Sequence, residues 1–296
     1  MLRLCHTDFV TSTARPRRRT AVGVGGIVVA IVALYITVVV LYASGSGIVS
    51  GGDDDVPPGA VSLVFTPEKM DAATSRLTVS LLPTQAEGGE YTNGITVDKP
   101  FAVLVSAVAG STAVHYQPSE LVAPTEVSFV MDGAIEQWPF DRYQVTSFVV
   151  AAVDDADGET VPLPTAVTVS GRGITGWDIT MTERDAGDGL FAVDISASRS
   201  GATVAFGIVL LTLMVIIPTL VLIVAIAVLR GRRKVEVTTL GWMGAMVFAT
   251  IPLRNFLPGS PPIGSWIDYL IVLWVIAALV AGLVIFVIAW WRRGPA

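Results

Sequence analysis

The chain has 296 residues, 52% hydrophobic and only 15% charged, with a formal net charge of −6 and a mean hydropathy of +0.66. Soluble domains carry about 25% charged residues, so this composition sets the chain apart from them and indicates a membrane protein. One cysteine, Cys5, excludes a disulfide framework.

In chain order, residues 1–20 form a basic head containing Arg15, Arg17, Arg18 and Arg19. An uncharged run follows over 21–43, covering about 34 Å as a helix. At 23 residues it exceeds a signal-peptide core of about 7–15 residues, which predicts an uncleaved anchor. Residues 44–60, with "SGSGIVSGGDDDVPPG", read as a flexible acidic linker.

Residues 61–200 read as short strands punctuated by Gly, Pro, Asn and Asp. "RLTVSLL" puts Leu77, Val79 and Leu81 on one face. "FAVLVSAV" is a continuous apolar run. "TEVSFVM" alternates through Val127 and Phe129, and "YQVTSFVVAAV" is long and β-branched. "GWDITMT" aligns Trp177, Ile179 and Met181; "LFAVDIS" aligns Phe191, Val193 and Ile195. The last two predict a hairpin across "ERDAGDG". Many strands at this spacing predict a β-sandwich. Residues 51–200 hold 22 acidic and 7 basic side chains, a net of −15, which argues against nucleic acid as a partner.

Three further apolar runs complete the chain: 204–229, 239–254 and 266–291. Between them lie a basic loop at 230–238 (Arg230, Arg232, Arg233, Lys234), an external loop at 255–265, and a tail at 292–296 with Arg292 and Arg293. The positive-inside rule places all three basic clusters in the cytoplasm. Parity then requires the short third run to cross. The expected fold is therefore an α + β membrane protein. It has four transmembrane helices, an extracytoplasmic all-β sandwich-like domain between the first and second, and both termini cytoplasmic in the plasma membrane.

Within this frame "EQWPFDRYQV" stands out. One reading is a turn, with Pro139 fixing φ, Asp141 capping an amide, and Trp138 and Phe140 completing the sandwich core. The other makes Trp138, Pro139, Phe140, Asp141, Arg142 and Tyr143 an interdomain interface. There Trp138 suits the interface, a Pro–Phe tip packs on the outer helix ends, and Asp141 and Arg142 meet polar groups such as Arg254 or the start of the fourth helix. Arg254 and Asp268 are expected to pair at the membrane boundary, and "SWID" reads as a capping box with Ser265 as N-cap. Pro218 predicts a kink, with Thr212 or Thr219 satisfying the freed carbonyl of Met214. "DDADGE" offers Asp155, Asp157 and Glu159 as calcium candidates. Val153 at the first loop position and the lack of a twelfth-position Glu favour a solvated turn. No zinc pattern, G-x-S-x-G or phosphate loop is present, and His115 is the only histidine of the β region.

"WPFD" in a β ectodomain is similar to the Pro-Phe-Asp loop of pentameric ligand-gated channels, which couples ectodomain to membrane domain. "VIIPTLVLI" resembles that family's first helix. The chain departs from it in having a helix before the ectodomain, three after it, no cysteine pair and no polar pore helix. The channel activity is therefore not carried over. More of the chain resembles a family of uncharacterised actinobacterial membrane proteins, known as a domain of unknown function. These have one helix, a β ectodomain with a PFD-Y motif, and three helices with a loop like "PLRNFLPGSPPIGSWIDY". The sequence reading is a non-enzymatic envelope protein without cofactor or resident metal. Its β domain binds or assembles with an envelope protein or wall component, and its helices sit in the lipid bilayer. The alternative is a channel- or transporter-like oligomer.

Overall fold

The computed structural model describes residues 29, 32–33, 35–40, 51–52, 58–85, 89–110, 112–154, 160–170, 173–187 and 190–293. Its β domain is two facing sheets. The first orders β1 (Gly51–Gly52), β10 (Thr165–Val169), β2 (Val61–Asp71), β3 (Arg76–Gln85) and β6 (Thr125–Val130). The second orders β11 (Trp177–Gly187), β12 (Leu190–Arg199), β8 (Arg142–Asp154), β4 (Phe101–Val105) and β5 (Ala113–Tyr116). The short strands β7 (Asp132–Gly133) and β9 (Thr160–Pro162) also pair with β8. All pairings are antiparallel except β10 on β2.

The period-2 pattern explains the layers. Leu77, Val79 and Leu81 of β3 face Val127 and Phe129 across the β3–β6 ladder, all buried. Trp177, Ile179 and Met181 close the core from β11. Phe65 and Phe129 meet with ring centroids 6.3 Å apart. Each such side chain contributes about 1.5–3 kcal/mol on full burial. β2 was not among the strands expected from sequence. Its Val61, Leu63 and Phe65 are fully buried, but Pro67, Glu68 and Lys69 interrupt the pattern. The β2–β3 register shifts between Pro67 and Lys69, a bulge that accommodates the proline.

The expected hairpin pairs Trp177 with Arg199 and runs to Gly187 opposite Leu190. Only Ser200 separates β12 from α1 (Gly201–Leu229); its hydroxyl accepts from the Thr203 amide. This cap starts α1 three residues before the expected Val204. After α2 (Val237–Asn255) and a loop, the chain re-enters helix at Trp266. It passes a π-helical turn, Asp268–Val272, and continues as α3 (Leu273–Arg293). α1 and α3 pack closely through Met214, Val221, Ala225, Leu279 and Phe286. Gly282 permits this approach: a Cβ there would lie 2.7 Å from Val221 Cγ1.

Among the described residues, two helices are long and apolar enough to cross a membrane, Gly201–Leu229 and Asp268–Arg292. Two of the four expected spans thus have the length and composition to cross a membrane. Thr238, Thr239, Gly241, Gly244, Pro252 and Arg254 dilute the apolar character of α2. Of the run 21–43, residues 29, 32–33 and 35–40 are helical and the rest lies outside the described residues. Among the described residues these helical positions precede β1, the first element whose bounds are described.

Candidate functional site

Polar and aromatic groups meet where the β domain rests on the helices. A short 3₁₀ turn, Ile135–Gln137, and a cis Trp138–Pro139 peptide bring the chain to β8. Trp138 is fully buried, but outside the sandwich core. It forms a separate cluster with Leu257 and Ile267, flanked by Leu210, Leu211 and Trp266. Its indole Nε1 donates to the Pro258 carbonyl at 2.7 Å. In return Trp266 Nε1 donates to the Trp138 carbonyl at 2.5 Å. Gly207 of α1 makes room for the ring, since a Cβ there would stand 2.7 Å from Trp138 Cη2. The tip is therefore held by α1 and by the loop between α2 and α3.

Behind the tip lies a buried ion pair. Arg199, the last residue of β12, donates through Nε to both Asp141 oxygens at 3.1 Å and through Nη2 to Oδ2 at 3.0 Å. Both side chains are almost wholly buried, at 4% and 0% exposure. Tyr143 donates its hydroxyl to Asp141 Oδ2 at 3.1 Å. The Arg199 guanidinium carbon lies 4.2 Å from the centroid of the Trp177 ring, a cation–π contact. Trp177 and Tyr143 meet edge to face at 5.6 Å. Burial, and then the adjacent Asp141 charge, push the Tyr143 phenol well above its ordinary range. Gly259, at φ +76°, completes the enclosure: a Cβ there would lie 2.1 Å from Arg199 Nη1.

The structure brings Trp138, Pro139, Asp141 and Tyr143 into this joint. Phe140 is 63% exposed, and Arg142 is exposed at the start of β8. The aromatic anchor is Trp138 rather than Phe140. Asp141 pairs with Arg199, not Arg254, because β12 runs beside β8 and pairs Ser198 with Arg142. Arg254 pairs with Asp268, Nε to Oδ1 at 3.2 Å and Nη2 to Oδ2 at 2.9 Å. The capping box differs from expectation. Ser265 Oγ is buried without a hydrogen-bond partner, and Asp268 Oδ2 accepts from the Gly264 amide at 2.8 Å. Pro218 is buried within an unbroken α1. Thr219 and Thr212 donate to the Val215 and Ile208 carbonyls, not to Met214. Asp155, Asp157 and Glu159 lie outside the described residues. Among the described residues no cluster of three His, Cys, Asp or Glu could hold a metal.

Sequence reasoning missed Arg199, Trp177, Gly207 and Gly259. The available signal was "SRSG", an arginine at the strand-to-helix junction directly before an uncharged helix.

Two family models match consecutive parts of the chain, and they meet at this joint. Residues 51–197 match the family described as Domain of unknown function (DUF4436). Residues 199–293 match that described as Domain of unknown function (DUF8686). The boundary falls at the end of β12, so Asp141 lies in one match and Arg199 in the other. No curated protein matches the chain.

Proposed function

We propose that the chain is a multi-pass, non-enzymatic protein of the plasma membrane. In this reading its acidic β domain is an extracytoplasmic module that binds or assembles with an envelope protein or wall component. Four spans place both termini in the cytoplasm. The observation that carries the reading is the joint: an apolar tip, a buried ion pair and a one-residue connector tie the β domain to two apolar helices. Such a mounting holds a binding surface at a fixed height and orientation above the bilayer. A flexible tether would not. A net charge of −15 over 51–200 keeps the module clear of anionic headgroups and favours a neutral or basic partner.

The topology is tested with single cysteines on a Cys5→Ser background, labelled in intact cells with a membrane-impermeant maleimide. Positions 146 and 263 are expected to label. Positions 233 and 292 are expected to label only after permeabilisation. Labelling of 146 solely after permeabilisation would overturn the reading. Partners are sought by native purification and mass spectrometry.

A further inference from the structure

A groove of about 450 Å3 opens between the C-terminal end of α2 and the start of the last helix, beside Ile263 and Gly264 of the connecting loop. Such a volume lies within the range of small-molecule sites, about 300–1,000 Å3. Its walls divide by chemistry. Ile251, Leu273 and Ile276 form an apolar trough along the helices. At the loop end the lining adds Ile263 and Gly264 and the polar side chains of Arg254, Asn255, Asp268 and Tyr269, of which the guanidinium, the carboxamide and the phenol offer donors. Arg254 donates through Nε and Nη2, to Asp268 and to the Pro261 and Pro262 carbonyls. This anchors the guanidinium with Nη1 available to a further acceptor. Asn255 and Tyr269 are exposed. Donors at one end and an apolar trough running from them match one kind of molecule: a phosphate ester carrying a fatty chain.

We propose that this groove holds a glycerophospholipid of the outer leaflet. Its phosphodiester sits against Arg254, Asn255 and Tyr269, and one acyl chain lies along Ile251, Leu273 and Ile276. Asp268 offsets the arginine charge, so the site reads the phosphate and does not require a strongly anionic headgroup. The lipid would fill the gap beside the loop that grips Trp138. The proposal rests on the membrane-spanning reading above.

The test is native mass spectrometry of the full chain extracted in mild detergent. Wild type is expected to retain one phospholipid per chain. After delipidation it is expected to reload from micelles containing dioleoyl-phosphatidylglycerol or dioleoyl-phosphatidylethanolamine, and at least tenfold less from dioleoylglycerol. Ile276→Trp fills the trough, and Asn255→Ala with Tyr269→Phe removes donors while leaving the Arg254–Asp268 pair intact. Both are expected to lower retention at least tenfold. Equal loading by dioleoylglycerol, or full retention by Ile276→Trp, would overturn the site. Carbonate-resistant pelleting of the same proteins separates this outcome from a failure of the membrane reading: pelleted protein without lipid sinks the groove alone.

Discussion

Trp266 donates its indole N–H to the main-chain carbonyl of Trp138 at 2.5 Å, joining the last helix to a loop 128 residues earlier in sequence. Trp138 returns the contact through Pro258, so the two rings bracket the α2–α3 loop. A main-chain acceptor in the tip fixes its position and not merely its burial. Trp138→Ala should therefore cost about 3–5 kcal/mol, read as a lower urea midpoint for β-domain unfolding in detergent. Phe140→Ala, at an exposed site, should stay within about 0.5 kcal/mol. The reverse order of the two would show that the tip is anchored through Phe140.

The Asp141–Arg199 pair has almost no access to water, so a lone partner would be a buried charge without compensation. Asp141→Ala alone should destabilise by about 3–5 kcal/mol. Asp141→Ala combined with Arg199→Met should cost less than the sum of the singles, by about 0.5–3 kcal/mol. Additive costs in the double-mutant cycle would mean the pair is not coupled.

Gly259 faces Arg199 at a positive φ, where a side chain meets both strain and contact. Gly259→Ala should cost about 1–3 kcal/mol. Gly241, with open space around it, is the control: Gly241→Ala should be neutral or slightly stabilising, because alanine favours helix.

Much of the fold was legible because its signals are local. Alternation in "RLTVSLL" and "GWDITMT" needs only neighbouring residues, and so do uncharged runs of helix length. β2 was missed because Pro67 and Lys69 break the pattern where a bulge absorbs them. Its parallel partner β10 lies about 100 residues away, with Thr165 opposite Val61. The joint was half legible. A Trp–Pro–Phe turn is conspicuous, yet which aromatic points inward depends on the helices above it. Arg199 looks in sequence like any charge flanking a membrane helix. Its role follows from β12 lying next to β8, which is a property of the sheet.

Tyr143 supplies a pH dependence. Its folded-state value is raised above the ordinary 10.0, so the folded state holds the phenolic proton more tightly. The associated stability is fully present below about pH 10 and is lost as pH rises through the folded value. In a phenolate absorbance titration Tyr143 should ionise after the exposed tyrosines, or only on unfolding. A Tyr143→Phe chain should lack that late step. Superimposable titrations of the two would contradict the buried hydrogen bond to Asp141.

The central claim is that the β domain is fixed to the helices through the Trp138 tip. The most direct measurement is cysteine crosslinking on a Cys5→Ser background. Position 140 is paired in turn with 256, 258 and 263 and treated with a short bis-maleimide in native membranes. The account predicts rapid intramolecular crosslinks, reduced when Trp138→Ala is added. A folded protein that forms none of the three crosslinks would contradict it.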